Sequence, residues 1–414
     1  MTDHKQLKRR VRERAARTGE SYTTARRHVL AAAARATAAE TVAAETSSAF
    51  GGGQHQPSTL LRHLLSREGI QLSEAMACGL GGGIGFMAAV FEYRGLPPIL
   101  TIVAQHHPDP WVPSALTRLG IGYEEEHGAA QPAMAALRAA LRAGKPVYCV
   151  VSATRLPWRA SEPYLDTDPH GVVVVAEREG VLLVEDEAVV PHEISLEAFA
   201  SAWAAHRKGR HHRIVLRGAG TSGGGLVGAV KDAVAVTAGH LTGPVLGNAF
   251  DVNFGLSGME RLAGQLRDAR TKGGFARRFA APEALAFGMR RLYECLELRD
   301  TAPGGTRPLY ADFLVEAAEL AGIGRWAEAA ELYREAGRHW SGVAALAAGA
   351  LGEDFGEGVE RQLLARLCGI REEGPAAVGV ELGEAERREL FDALADGVDA
   401  ARRVETEAVA LLAA

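Results

Sequence analysis

A histidine and an aspartate sixteen residues apart carry the first chemical suggestion in this chain, His170 and Asp186. They lie in D-P-H-G-V-V-V-V-A-E-R-E-G-V-L-L-V-E-D-E, residues 168–187. Two β-branched apolar runs, 172–176 and 181–184, flank Glu177-Arg178-Glu179-Gly180. That pattern predicts a β-hairpin with Gly180 at the left-handed position of a three-residue, bulged loop. With Glu177 opposite Val181, partner numbers sum to 358, so Asp186 faces Val172 and His170 sits diagonally beyond on the same face. Diagonal cross-strand neighbours lie roughly 7–8 Å apart, within reach of a long side chain. A slip of one residue would send the two to opposite faces. In register, the carboxylate holds one ring nitrogen and leaves the other free as a base. The plainer alternative is a strand-edge histidine and a turn aspartate that only cap two strands.

A nucleophile for such a base is less obvious. Cys78 precedes five glycines in seven residues (Gly79, Gly81, Gly82, Gly83, Gly85) inside S-E-A-M-A-C-G-L-G-G-G-I-G-F. It reads either as a thiol activated near a helix N-terminus or as a small buried hydrophobe. The glycines demand a tight backbone path or a close approach. No strand precedes them and no Lys-Ser follows, so they fit neither common phosphate-binding pattern. The histidines His106, His107, His192, His206, His211 and His212 show no HExxH or other ligand spacing, and the sequence assigns no metal.

These residues need elements to hold them. His55-Gln56-Pro57-Ser58-Thr59 opens an amphipathic helix that Gly69 ends. Residues 98–104 and 147–151 read as strands, 111–119, 132–143 and 194–205 as helices, and 213–216 as a last strand. Cys149 sits mid-strand and reads as core. Beyond the Gly/Ser-rich boundary at 218–225 the pattern turns helical, near 226–240, 257–270, 282–297, 308–322, 325–348, 357–369 and 383–413. Arg307, in G-G-T-R-P-L-Y-A-D-F, is a candidate for bidentate binding of a carboxylate or phosphate.

At 414 residues the chain suits two domains and an appendage. No run approaches the ~18 apolar residues of a membrane span, and the basic N-terminus lacks a following apolar segment. Four widely spaced cysteines suit a reducing cytoplasm. Residues 1–30 hold nine basic residues against three acidic ones, a net of +6 that leaves −11 for the rest. Such an arm could meet nucleic acid, but no aromatic platform accompanies the charge, which favours a helical hairpin docked on the acidic body. Residues 45–54 read as a linker.

Residues ~50–217 resemble the N-terminal domain of the butirosin-biosynthesis acyltransferase family (BtrH type). The matching segments are H-x-x-S-T-L-L-R-H-L-L from His55, S-E-A-M-A-C-G-L-G-G-G-I-G-F, G-K-P-V-Y, and the hairpin with His170 and Asp186. N-F-G-L-S-G and G-G-T-R-P-L-Y-A-D-F-L resemble the helical domain that often follows it. The resemblance implies an α/β (α+β) chain with a papain-like domain at 50–217 and a mainly helical domain at 218–414, to which the residue pattern adds a basic helical arm and linker at 1–49. It also implies cytoplasmic acyl transfer in bacterial specialised metabolism. A Cys thiolate would take an acyl group from a phosphopantetheine thioester on an acyl carrier protein and pass it to an amine of a small-molecule acceptor. His170 would be the base and Asp186 its orienting group. No other cofactor, no membrane and no nucleic acid are implied, and a homo-oligomer stays open.

In the family pattern the nucleophile follows the histidine that opens the first helix, where this chain has Gln56. Three readings follow. Cys78 takes over, with Gly81, Gly82 and Gly83 donating to the oxyanion. Or Ser58 or Thr59 attacks from the same helix. Or covalent chemistry is lost, and the fold binds a metabolite, scaffolds a partner, or positions two substrates for direct transfer.

Overall fold

Short β-branched runs and long alanine- and leucine-rich stretches give this chain two kinds of element. The computed structural model describes residues 2–20, 22–41, 53–159, 169–219, 225–368 and 379–413. Helices α1 (Thr2–Thr18), α2 (Tyr22–Thr41), α3 (Gln56–Ser66) and α4 (Glu74–Gly81) precede strands β1 (Ile84–Phe91) and β2 (Ile99–Gln105). Next come α5 (Trp111–Arg118), β3 (Ile121–Glu126), α6 (Ala130–Arg142) and β4 (Val147–Ser152). The hairpin β5 (Pro169–Arg178) and β6 (Val181–Glu185) leads to β7 (His192–Ser195), α7 (Leu196–Ala205) and β8 (Arg213–Ala219). Then follow α8 (Gly225–Thr242), α9 (Gly255–Arg267), α10 (Phe275–Arg278), α11 (Pro282–Glu297) and α12 (Arg307–Ala321). The last three are α13 (Arg325–Ala350), α14 (Glu353–Leu367) and α15 (Glu384–Ala413). The linkers read at 45–54 and 218–225 fall largely outside the described residues.

The elements group into two units that interleave in sequence. The first holds residues 1–72, 120–222 and 358–374, and the second 73–119, 223–357 and 375–414. The sequence reading divides the chain linearly, whereas residues 73–119 group with the helices.

In the first unit the sheet runs β3-β8-β4-β5-β6-β7, every neighbouring pair antiparallel. Alternate residues bury one face: Val147, Cys149 and Val151 of β4 and Val172 and Val174 of β5, beneath Leu137, Phe199 and Trp203 of α6 and α7. Each such apolar side chain contributes about 1.5–3 kcal/mol on burial. Cys149 is core, as its strand position predicts, and burial pushes its thiol well up. Ser195 caps α7 by accepting from the Ala198 N–H at 3.1 Å, while Ile194, read as helical, belongs to β7.

The arm packs as a helical hairpin through Leu7, Val11, Ala25 and Val29. Leu30 and Ala31 of α2 continue into a cluster with Val189, Leu363 and Leu367. Its apolar stripe is therefore used within the unit, and Lys8, Arg9, Arg10, Arg12 and Arg17 stand exposed.

The central hairpin departs from its expected turn. Arg178 pairs with Val181, so the connection is two residues, Glu179-Gly180, with φ of 50° and 83°. Two consecutive left-handed residues give a type I′ geometry, whose twist matches that of the flanking strands. The extra residue is Val175, bulged within β5 between Val174↔Val184 and Ala176↔Leu183. Below it Val173 faces Glu185, which restores the parity expected from the sequence.

In the second unit β1 and β2 pair antiparallel, from Ile84↔Gln105 to Phe91↔Ile99. Both are strands among helices, and β1 follows the glycine-rich segment directly, where the sequence reading placed no strand. Those glycines allow close packing. A Cβ at Gly79 would lie 2.2 Å from the Phe313 ring, at Gly81 2.2 Å from Trp111, and at Gly83 2.4 Å from Tyr310. None of the described helices is long and apolar enough to cross a membrane.

Candidate functional site

Helix α3 begins with Gln56 and Pro57, and proline suits a first turn because its fixed φ is helical and no N–H is lost. The helix buries Leu60, Leu61, Leu64 and Leu65. Its polar side is fastened to β6 by Glu185, which takes hydrogen bonds from His63 Nδ1 at 2.9 Å and Arg67 Nη2 at 2.6 Å. This brings Gln56 to the His170 end of β5, where its Nε2 donates to the Gly171 carbonyl at 2.8 Å and to Asp186 Oδ1 at 3.0 Å.

Asp186 is the centre of the cluster. His170 Nε2–H donates to its Oδ1 at 2.9 Å, so the register argument is realised in a direct hydrogen bond. Arg159 grips both oxygens, Nε to Oδ2 at 2.9 Å and Nη2 to Oδ1 at 2.8 Å. The Trp158 indole N–H completes the set at 2.9 Å from Oδ2. Burial pulls this carboxyl upward, but the Arg159 and His170 charges and hydrogen bonds hold it well below the usual carboxylate range. Trp158 stacks flat on His192, ring centroids 3.9 Å apart, and burial pushes that imidazole down to about 4. Trp158 and Arg159 were not singled out from sequence. Their signal is a cation and an indole side by side in the short P-W-R run after β4.

The other candidate residues fare differently. Cys78 is fully buried and lies in the second half of α4, whose N-cap is Ser73. A helix C-terminus is the negative end of the dipole and disfavours a thiolate, so activation at a helix N-terminus does not apply. Gly82 N–H bonds back to the Cys78 and Gly79 carbonyls, and Gly83 N–H to Cys78 at 3.0 Å. Gly81 lies inside the helix. The Gly82 and Gly83 N–H groups close a helix end and are not free to receive an oxyanion. Ser58 Oγ lies 2.7 Å from His55 Nδ1, both side chains fully buried, and Thr59 Oγ1 donates to the His55 carbonyl at 3.0 Å. Arg307 does bind a carboxylate bidentately, but an internal one. Nε and Nη2 reach Glu405 at 2.8 and 2.9 Å, and the Ala104, Gly305 and Gly85 carbonyls take the remaining donors. With both side chains fully buried, it has no donor left for a ligand.

The chain is α+β, and a histidine–aspartate pair on an antiparallel hairpin meets Gln56 in the first turn of α3. Residues 55–187 match the family model described as butirosin biosynthesis protein H, N-terminal, and residues 199–370 match a domain of unknown function (DUF4872). The two matches together give the order of a BtrH-type N-terminal domain followed by this second domain. No curated protein matches it.

Proposed function

We propose that this protein is an acyltransferase of specialised metabolism that joins a thioester-bound acyl group directly to an amine, without an acyl-enzyme. The observation that carries the reading is Gln56. It stands where a nucleophile would follow His55, and it shares Asp186 Oδ1 with His170. An amide cannot attack, yet the imidazole beside it is oriented as a base, with Nε2–H on the carboxylate and Nδ1 left for a proton. Both hydrogens of the Gln56 amide nitrogen are engaged, which leaves its oxygen to hold an acceptor N–H.

In the reaction, the amine nitrogen attacks the thioester carbonyl carbon and the C–S bond breaks. The amine proton passes through His170 to the departing thiolate. An acyl carrier protein bearing a phosphopantetheine thioester fits as donor, and a small amine as acceptor. The arrangement of Gln56 at the start of α3 against a His–Asp pair on an antiparallel hairpin supports a papain-like ancestry. Cytoplasmic chemistry fits the free thiols.

The test is incubation of the full chain with acyl thioesters of N-acetylcysteamine and a panel of amines, followed by mass spectrometry of products and intact protein. Amide should form, no acylated protein should accumulate, and His170→Ala should slow the reaction by about 10²–10⁴-fold. An acyl adduct on Cys78 would overturn direct transfer and restore a covalent route. A second reading, a binding or scaffolding protein, is favoured by the saturation of Asp186, which is what a purely structural anion would show. It expects no amide from any donor, and ligand binding that His170→Ala leaves unchanged.

A further inference from the structure

The β3–β8 pair brings together side chains that no sequence spacing connects. Its register runs Glu124↔Val215, Glu125↔Ile214, Glu126↔Arg213. Continued by one residue, it sets His127 opposite His212, with Glu125 diagonal to His212 on the same face. The two imidazole centroids lie 4.8 Å apart, and His212 Nε2 is 2.7 Å from Glu125 Oε1. One donor atom from each of Glu125, His127 and His212 falls within 4.8 Å of the other two.

The geometry points to a binding site for a zinc-class divalent cation on Glu125, His127 and His212. Two imidazoles and one carboxylate form a donor set suited to such an ion, and three protein ligands leave a fourth position open. Ligand atoms of a tetrahedral zinc lie about 3.4 Å apart, so an edge at the 4.8 Å limit must close by about 1.4 Å and the 2.7 Å Glu125–His212 edge must open by about 0.7 Å. Glu125 and His127 are exposed and can make that adjustment.

The surroundings hold the ligands in place. His127 Nδ1–H donates to the Gly209 carbonyl at 2.9 Å, which fixes the ring and leaves Nε2 as a lone-pair donor. The Gly128 N–H donates to the Arg210 carbonyl at 2.7 Å, and His211 Nδ1 bonds the Gly128 carbonyl at 3.0 Å. Arg210 and His211 are both left-handed, φ of 47° and 56°, a tight path that delivers His212 to its place. The His212 carbonyl is itself held by Trp203 Nε1 at 3.2 Å. His212 is 8 % exposed, and its Nδ1 is buried without a partner. A cation here would staple the edge strand β3 to its neighbour.

The test uses the full chain freed of metal by chelator dialysis, then given zinc alone and passed through gel filtration, with bound metal counted by mass spectrometry. One equivalent should remain bound, with a raised Tm. His127→Ala should weaken binding at least about tenfold, and so should His212→Ala and Glu125→Gln. His127 is exposed, so its variant keeps the test valid if the buried His212 variant folds poorly. Failure to retain zinc, or zinc retained equally by wild type and His127→Ala, overturns the proposal.

Discussion

Asp186 in the first unit and Glu405 in the second sit in nearly the same cradle. Each carboxylate takes two hydrogen bonds from one arginine and one from an indole N–H: Arg159 and Trp158 for Asp186, Arg307 and Trp340 for Glu405. The difference lies in what else reaches in. Glu405 and Arg307 are sealed, and the remaining guanidinium donors go to backbone carbonyls of β1, β2 and the turn before α12. Asp186 also receives an imidazole and a glutamine amide, and Arg159 keeps 13 % of its side chain exposed. One cradle is a core clamp, and the other presents a titratable ring. A bidentate arginine therefore does not distinguish a site from a scaffold. The imidazole does.

The sharpest way to break this comparison is to remove Arg307. Arg307→Met leaves Glu405 buried without its cation and should lower stability by about 3–5 kcal/mol in chemical denaturation. Adding Glu405→Leu should recover much of that loss. A loss under about 1 kcal/mol for the single variant would mean the pair is not the clamp described.

Next in size is a pH effect in the first unit. Unfolded, the His192 ring takes its proton near the ordinary value of 6.5, whereas folded it resists until about 4. Its contribution is thus complete above 6.5 and drains away as pH falls toward 4, amounting to about 3 kcal/mol. Denaturant midpoints measured between pH 7 and 4 should fall, and His192→Gln should flatten part of that slope. An unchanged slope would contradict it.

Gln56→Cys sharpens the comparison at the site itself. It removes two hydrogen bonds, at about 1–2 kcal/mol of stability, and sets a thiol beside an oriented imidazole. That thiol should alkylate quickly below its ordinary pKa of about 8.5 and slow when His170 is replaced by Ala. A thiol of ordinary reactivity would show that His170 does not serve this position.

The smallest expected effect is a gain. Glu179 holds φ of 50° in the hairpin turn, and Glu179→Gly should raise stability by about 0.5–1 kcal/mol in thermal or chemical denaturation.

Much of the His–Asp geometry was legible because strand parity depends only on local pattern and turn type, and β5 and β6 have unambiguous runs. The helices of the second half were legible for a similar reason, since long periodic segments override single residues. What stayed hidden depends on distance along the chain. Nothing in residues 78–85 announces that Phe313, Trp111 and Tyr310 press against the glycines, so the segment invited a ligand reading. Arg307 looked free because its partner, Glu405, lies 98 residues on. The histidines at 127 and 212 have no motif because an edge-strand register brings them together.

The bulge at Val175 makes the hairpin behave like a text with two compensating frameshifts. The short turn displaces the message by one letter and the bulge shifts it back before His170 is reached. Deleting Val175 alone should close the bulge and keep Val172 opposite Asp186, because the lost residue faces no partner in β6. Deleting Val173, which has a partner, should instead slip the root by one residue and turn His170 to the other face. The tip of this hairpin can vary while its root cannot.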